Sequence, residues 1–235
     1  MKLAAIVTTS LLVTAAAADE LPPELAAVFD RMPSVDPTEW AYTQTVDDGE
    51  SVTVRRFDPS SNRTWRLVSV DGRRPTDDEL ATHAEWVREQ NDGDYLGEND
   101  FAGLAVAGSW SLTGEQDERR RYRFKPDVSD DDFLADHADR LGGELTLDTE
   151  RQTVASFRLF NEKPFRARVV AKINKFDLAI DMQKVAAGTF FPSRVTTRIE
   201  GSALFRRLDS TVVTTYSDFS RRAPDAAANA EFVAD

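Results

Sequence analysis

Regular alternation of apolar and polar side chains is the sequence feature that most constrains this fold. Five segments keep a two-residue period: 144–148, 152–160, 165–183, 193–205 and 210–219. Such a period is typical of strands that bury one face and expose the other. Further strands are predicted in EWAYTQTV, SVTVRRF, TWRLVSV, ERRRYRFK and near Trp110. We therefore predict a mainly β fold with a few helices (α+β). At least nine, and in total ten or eleven, strands should form one curved antiparallel sheet.

The longest alternating segment contains RVVAKINKFDLAIDM, residues 168–182, and its register slips once. Its apolar row begins on one parity and continues on the other, as Val169, Ala171, Ile173, then Phe176, Leu178, Ile180 and Met182. A β-bulge at Asn174-Lys175 would keep the row on one face. A two-residue hairpin is the alternative, although Asn-Lys is a poorer turn than Asn-Gly. We expect the row to face the concave side of the sheet, with Arg168 and Lys172 outside.

Three segments change to a helical period. LPPELAAVFDRM predicts a short helix after Pro22-Pro23. PTDDELATHAEWVREQ predicts a helix near 77–90, because Thr76 and Glu79 form a capping box. Its apolar face is predicted to contain Leu80, Ala84 and Val87. VSDDDFLADHADRLGG predicts a helix near 130–141 that begins after Ser129 and ends at Gly142.

The first residues predict export. Residues 1–18 combine a basic Lys2, an apolar stretch and small residues ending at Ala18, as in a cleaved signal peptide. The apolar stretch is short of the roughly 20 residues of a helical membrane span. The predicted mature domain covers 19–220, and 221–235 is predicted to be a flexible tail. The chain contains no cysteine, which for a secreted protein favours a bacterial periplasm.

The residues of three segments resemble a known family. RRFDPSSNRTWRLVSVDGRRPTDDEL resembles Y/F-x-P…W-x-L-x-x-x-x-G-x-x-P-T-x-x-E-L of bacterial periplasmic proteins in the lipoprotein-sorting, LolA/LolB-like group. RLFNEKPFRARVVAKINKFDLAIDM and TTYSDF resemble the later strands of the same proteins. The likeness covers most of residues 38–220. It implies an open, strongly curved antiparallel half-barrel whose helices cross its mouth and enclose an apolar cavity.

Charge and motif content narrow the function. The formal net charge of −12 disfavours nucleic acid, whose phosphates attract basic surfaces. His83 and His137 lack a metal-binding partner pattern and are interpreted as surface or packing residues. NDGDYLGEND does not fit the calcium-loop spacing, so it is interpreted as a solvated acidic loop. No metal site, cofactor or catalytic residue is predicted. In RRRYRFK, Arg119, Arg121, Arg123 and Lys125 are predicted on a solvated face and Tyr122 and Phe124 on the apolar face. Contact of the basic residues with anionic headgroups is the alternative.

Three functions stay open at this stage. The first is a monomeric periplasmic carrier of hydrophobic ligands, whether small molecules, lipids or lipoprotein acyl chains. The second is an envelope scaffold or interaction protein whose helices fill the concavity. The third is a hydrolase based on paired carboxylates. For the first, residues 91–108 are predicted to form a flexible gate. The candidate cavity residues, of which the tryptophans could equally be core, are Trp40, Trp65, Leu80, Val87, Phe101, Leu104, Tyr122, Phe124, Phe176, Leu178 and Ile180.

Overall fold

The computed structural model describes residues 21–31, 39–60, 65–89, 104–129, 134–167, 171–203 and 206–221. Its helices in these ranges are α1 (Pro23–Phe29), α2 (Asp77–Glu89) and a 3₁₀ helix (Ala135–Arg140). Its strands are β1 (Trp40–Asp47), β2 (Val52–Phe57), β3 (Trp65–Val70), β4 (Ser111–Gln116), β5 (Arg119–Phe124), β6 (Leu141–Asp148), β7 (Thr153–Asn161), β8 (Phe165–Ala167), β9 (Ala171–Ala186), β10 (Thr189–Ala203) and β11 (Arg206–Arg221).

All eleven strands belong to one sheet. Its order is β3-β2-β1-β11-β10-β9-β7-β6-β5-β4, and β8 pairs with β9 beside this path. Neighbouring strands run antiparallel, as in the β9–β10 and β6–β7 pairs. Strands β3 and β4 stand at opposite ends of the order, so among the described strands the sheet does not close on itself. The predicted class, mainly β with a few helices and one antiparallel sheet of ten or eleven strands, is confirmed.

The chain divides into two compact units. The large unit contains Met1–Val35 and Glu98–Thr214, and the small unit contains Asp36–Gly97 and Thr215–Asp235. Strand β11 therefore contributes its first part to the large unit and its last part to the small unit. The prediction of a single domain over 19–220 stays a prediction.

The core of the large unit lies between α1 and strands β5 to β9. Its most deeply buried side chains belong to one apolar cluster, which includes Leu25, Val28, Tyr122, Phe124, Leu145, Leu147, Val154, Phe165 and Ile173. Leu25 is 0% and Val28 is 3% exposed, so these two side chains of α1 are covered by the core. The predicted helix after Pro22-Pro23 is thus confirmed, and burial of its apolar face fixes it against the sheet.

The core of the small unit is aromatic. Tyr42, Phe57 and Trp65 are buried there, at 1%, 1% and 6% exposure. Their rings meet at short distances, with centroids 5.0 Å apart for Tyr42–Phe57 and 5.1 Å apart for Phe57–Trp65. Trp86 and Val87 of α2 and Tyr216 and Phe219 of β11 pack around this group. Aromatic pairs in tilted geometry stabilise the unit beyond the area that they bury.

Helix α2 begins as the sequence predicts. The amide of Thr76 donates to Glu79 Oε2 at 2.8 Å, and the amide of Glu79 donates to Thr76 Oγ1 at 3.3 Å. Arg73 adds two hydrogen bonds to the same carboxylate, at 2.7 and 2.8 Å. The Arg73 guanidinium, and then the Thr76 amide, lower the pKa of Glu79 to about 2. The capping box predicted from the sequence is confirmed.

The third predicted helix differs from the structure. Residues 135–140 form a 3₁₀ helix, and β6 already begins at Leu141, so Gly142 and Gly143 are strand residues. A Cβ at Gly143 would lie 2.2 Å from the Phe124 ring. The Phe124 ring occupies the space that a side chain at position 143 would need, which explains the glycine. Because both glycines lie within β6, the predicted helix end at Gly142 is wrong. Residues 130–133, the start of the predicted helix, lie outside the described residues.

Both ends of the chain extend beyond the described residues. The predicted signal peptide, 1–18, and residues 222–235 of the predicted tail are not among the described ranges. Arg221, placed by the sequence at the start of that tail, is the last residue of β11. Its Nη2 lies 2.7 Å from Glu39 Oε2, an ion pair within the small unit.

Candidate functional site

A β-bulge shapes the apolar row on β9. In the β9–β10 ladder, Ile173 faces Gly201 and Lys175 faces Glu200, so Asn174 is the extra residue. The Asn161 side chain holds it: Asn161 Nδ2 donates to the Asn174 carbonyl at 3.1 Å, and Asn161 Oδ1 accepts from the Phe176 amide at 2.6 Å. The predicted bulge is confirmed and the hairpin alternative is wrong. It lets Phe176 continue the face that Ile173 begins.

The apolar row, here Ile173, Phe176, Leu178, Ile180 and Met182, faces the core of the large unit. Ile173 is 6% exposed. The other four side chains pack against the same core but are only half-buried. Lys172 is exposed, as predicted, whereas Arg168 and Val169 lie outside the described residues. The row therefore begins inside the core and continues as apolar surface that keeps part of its area accessible.

Helix α1 packs against the same apolar core. Its Leu25 and Val28 enter the cluster that contains Tyr122 and Phe124 of β5. Polar contacts at both ends hold it there, because Glu24 forms an ion pair with Arg120 and Arg31 donates to Gln152 Oε1. The Tyr122 hydroxyl is buried, and no described residue hydrogen-bonds to it. A buried hydroxyl without a partner costs about 1 to 3 kcal/mol, so a hydrogen bond from this group to a polar ligand atom or to water would be stabilising.

The small unit presents a second candidate, the Arg55 cluster, defined as Gln44, Arg55, Trp65, His83, Trp86 and Tyr216. Arg55 of β2 is half-buried, and its Cζ lies over the Trp86 ring at 4.4 Å from the centroid. Its Nη1 donates to Gln44 Oε1 at 3.3 Å. Gln44 Nε2 in turn donates to the Tyr216 hydroxyl at 3.5 Å. The cluster thus holds a cation against an aromatic face with neutral polar neighbours.

His83 belongs to this cluster through Trp86. The two rings stack with centroids 5.5 Å apart and an interplanar angle of 20°. Burial, and secondly the positive charge of Arg55, lower the pKa of the His83 imidazole below its ordinary value of 6.5. The carbonyl of Trp65 opposes this shift only in part. The structure therefore favours a neutral His83 beside a charged Arg55.

Acidification should destabilise the protein through His83. Below pH 6.5, the unfolded chain binds a proton on this imidazole that the folded protein excludes. Stability therefore falls as the pH is lowered through 6.5, until the lower pKa of the folded state is passed. Urea unfolding followed by tryptophan fluorescence between pH 7.5 and 5 measures this slope. His83→Phe should keep the stacked ring and flatten the slope, whereas His137→Phe should retain it. A wild-type slope in His83→Phe would contradict this assignment.

The face of α2 that packs is rotated from the predicted one. Leu80 is 44% exposed and Ala84 is exposed, whereas His83, Trp86 and Val87 are partly buried. The ring centroids of Trp86 and Trp65 lie 5.4 Å apart, and Arg55 lies over the Trp86 ring. These contacts explain why the Trp86 side of the helix is the one that packs. The predicted face is therefore correct at Val87 and wrong at the other two positions. The prediction used only the spacing of apolar residues along the helix, which contains no information about contacts with other strands.

The candidate cavity residues fall into separate groups. Trp65 and Val87 share the aromatic core of the small unit, and Trp40 is buried at 6% exposure. Tyr122, Phe124, Phe176, Leu178 and Ile180 all belong to, or pack against, the core of the large unit. Leu80 and Leu104 are exposed, at 44% and 39%. Phe101 lies outside the described residues. A ligand-binding role for any of them stays a prediction.

Only the end of the predicted gate is described. Residues 91–103 lie outside the described ranges, and 104–108 are fixed to the segment after β5. The Val106 amide donates to the Lys125 carbonyl at 2.9 Å, and the Asp127 amide donates to the Leu104 carbonyl at 2.9 Å. Leu104 and Val106 nevertheless expose apolar side chains, at 39% and 44%. The predicted mobility of 91–108 stays a prediction.

The basic strand β5 has the predicted two faces. Tyr122 and Phe124 are buried, at 1% and 4% exposure, while Arg119, Arg121 and Arg123 alternate with them on the solvated side. Two of these arginines are already paired: Arg121 Nε lies 3.4 Å from Glu144 Oε1, and Arg123 Nη2 lies 2.6 Å from Glu162 Oε1. Paired arginines offer less charge to anionic headgroups, so the solvated-face interpretation is favoured.

The histidines have packing contacts. The His83 ring stacks on Trp86, and the His137 ring lies 4.5 Å from that of Phe165. Across the described ranges, no group of three or more His, Cys, Asp or Glu side chains is placed to hold a metal ion. The interpretation of both histidines as packing residues agrees with these contacts.

An open polar cleft of about 700 Å³ lies at the tips of the β4–β5 and β6–β7 hairpins. Glu118, Asp148 and Glu150 line it together with Arg119 and Arg151. A hydrogen bond that the protonated Glu118 donates to Glu150, and secondly the negative charge of Glu150, raise the pKa of Glu118. The two carboxylates are close enough to share a proton, but both lie in solvent. Because water is not excluded, the pair gains little of the electrostatic advantage that acid–base catalysis needs.

Comparisons with known proteins add little. No family model and no curated protein matches the chain. Among solved structures, it is similar to a chain in the crystal structure of MucB in complex with MucA(peri), at 12% sequence identity, over 85% of this chain and 99% of the matched one. The TM-score is 0.22, too low to inform either fold or function. Membership of the LolA/LolB-like group stays a prediction. Helices within the described ranges are too short or too polar to cross a bilayer.

Proposed function

We propose that this protein is a non-enzymatic, periplasmic binding or carrier protein for acyl-chain ligands such as fatty acids or phospholipids. The observation that carries this proposal is the apolar row on β9, which leaves Phe176, Leu178, Ile180 and Met182 half-buried beside a fully buried core. The predicted signal peptide supports the compartment. The resemblance of the later strands to LolA/LolB-like proteins supports the ligand class.

The hydrophobic effect alone is large enough to bind an acyl chain, so a charged site is not required. Each buried CH₂ contributes about 0.8 kcal/mol, so a chain of about 14 carbons offers about 11 kcal/mol before association costs. The half-buried row continues an existing core, so a bound chain would extend the contacts that Ile173 already makes. The buried Tyr122 hydroxyl supplies one polar group on the same unit.

A second candidate is an interaction or scaffold protein whose helices fill the apolar face. The complete burial of Leu25 and Val28 favours it, because α1 already occupies part of that face. The two candidates differ in whether any apolar surface on the row is left for a ligand. This difference can be measured directly.

Native mass spectrometry of the protein purified from a bacterial periplasm tests the proposal. We expect co-purified lipid, or uptake of palmitate added to delipidated protein. Ile180→Gln should weaken palmitate binding by about tenfold, because it removes roughly 1.5 kcal/mol of apolar burial. Leu112→Gln is the matched control, since Leu112 is 48% exposed on β4, outside the row. Repeated recovery of bare protein that takes up no palmitate would contradict the carrier and favour the scaffold.

A further inference from the structure

Among the described residues, Arg55 lacks the carboxylate partner that three other arginines of the small unit have. Arg73, Arg88 and Arg221 each have a carboxylate oxygen within 4.0 Å. Among the described residues, Arg55 has none, although it is half-buried. Burial lowers the pKa of its guanidinium, which is the direction expected for a cation removed from water. A partly desolvated charge is costly unless it is paired, so a binding partner for it is expected.

The guanidinium keeps hydrogen-bonding capacity for that partner. It has five N–H groups, and Nη1 donates to Gln44. Its Nε is buried, and no described residue accepts from it. The Trp86 ring covers one face of the group, with 4.4 Å from Cζ to the ring centroid. The remaining donors point along the edge of the plane, where a carboxylate can accept two parallel hydrogen bonds.

The neighbours of Arg55 hold it in place without neutralising it. Gln44 is engaged at both ends, since Oε1 accepts from Arg55 and Nε2 donates to Tyr216. Burial raises the pKa of the Tyr216 hydroxyl, so this group stays neutral near pH 7. His83 stacks on the Trp86 ring, and its lowered pKa keeps it neutral in the folded protein at that pH. The single positive charge of Arg55 among neutral side chains is balanced by a ligand with one negative charge and not by a ligand with two.

We infer that the Arg55 cluster is a binding site for a carboxylate, held by the edge of the Arg55 guanidinium between the Trp86 ring and the Gln44 side chain. A carboxylate carries one negative charge and balances this site. A phosphate group carries about −1.5 to −2 near pH 7 and would leave excess negative charge partly buried. The site uses none of the residues of the apolar row, so it is independent of acyl-chain binding.

Two sources could supply the carboxylate: a small organic acid or the C-terminus of a peptide. Acetate represents the first, and N-acetylglycine represents the second. N-acetylglycinamide has the same body as N-acetylglycine without the charge, and inorganic phosphate tests the charge argument. Isothermal titration calorimetry of the full chain at pH 7.5 and low salt measures all four. We expect acetate or N-acetylglycine, whichever is the closer mimic, to bind more tightly than phosphate, and N-acetylglycinamide to bind at least about tenfold more weakly than its acid.

Arg55→Gln should weaken binding of the carboxylate probes by about tenfold or more, because it removes a charge-assisted hydrogen bond. Arg66→Gln is the matched control, since Arg66 is exposed on β3 and the charge change is the same. Circular dichroism verifies that both variants are folded. Equal carboxylate binding by wild type and Arg55→Gln, equal binding of acid and amide, or tighter binding of phosphate would overturn the inference.

If Arg55→Gln does not fold, Arg55→Lys keeps the test decisive. Lysine retains the positive charge but lacks the planar fork that binds a carboxylate through two donors. We expect carboxylate binding to weaken several-fold in a folded Arg55→Lys protein. Unchanged binding there would overturn the inference, because a point charge would then suffice.

Discussion

Gly201→Ala is expected to destabilise the protein by about 3 kcal/mol or more, at the upper end of overpacking costs. A Cβ at Gly201 would lie 2.1 Å from the backbone oxygen of Lys172 and 3.1 Å from its carbonyl carbon. Gly201 pairs with Ile173 beside the Asn174 bulge, so the obstacle is the neighbouring strand itself. A backbone carbonyl in a ladder cannot rotate away as a flexible side chain can. The bulge or the strand pairing must therefore shift.

Urea unfolding measures this effect, and Gly114→Ala provides the control. Gly114 is also a strand glycine, on β4, but a Cβ there meets nothing within 4 Å. We expect its free energy of unfolding to change by no more than about 0.5 kcal/mol. Similar stability of the two variants would contradict the close approach of β10 to the bulge.

Leu25→Ala is expected to lower the free energy of unfolding by about 3 kcal/mol. Leu25 is 0% exposed and lies within the apolar cluster of the large unit, so truncation leaves a cavity under α1. The decrease combines the transfer free energy of the deleted carbons with the van der Waals attraction that the residues around that cavity no longer receive.

Leu80→Ala is the matched control for this prediction, because Leu80 also lies on a helix but is 44% exposed. We expect a change of about 0.5 kcal/mol or less, measured by the same unfolding experiment. If both leucines proved equally tolerant, α1 would not be part of the core. The apolar face of β5 to β7 would then be open, which bears directly on how much room a ligand has.

Features that depend on nearby residues were predictable from the sequence. Thr76 and Glu79 lie three positions apart and satisfy one another, so the start of α2 could be placed without knowing its surroundings. The slip of parity at Asn174 likewise marks the bulge within a single strand. In both cases the decisive partners, or the decisive pattern, lie within a few residues of chain.

Features that depend on distant residues were not predictable. Gly142 and Gly143 have the sequence of a helix end, but both lie in β6, where the ring of Phe124 from another strand occupies the place of a side chain at position 143. The packed face of α2 depends on Arg55 and Trp65, which precede it on β2 and β3. The Arg55 cluster itself left no motif, because its partners are scattered over one helix and several strands. The one signal available was Arg55 itself, which by the two-residue period shares a face of β2 with the apolar Phe57.

The position of β11 in the sheet has a consequence for folding. It is the most C-terminal described strand, yet it lies between β1 and β10 in the strand order. The bond between Gln44 and Tyr216 joins residues 172 positions apart. Contacts of such long sequence separation slow folding, because a large loop must close before they form. A chain made or exported from its N-terminus can form the β1–β2–β3 meander early, but the edge of β1 stays open until residues beyond 206 arrive. The pairing of β11 with β1 and β10 is thus the last step of sheet formation. An unfinished chain would leave the edges of β1 and β10 unpaired, and unpaired strand edges are prone to aggregation.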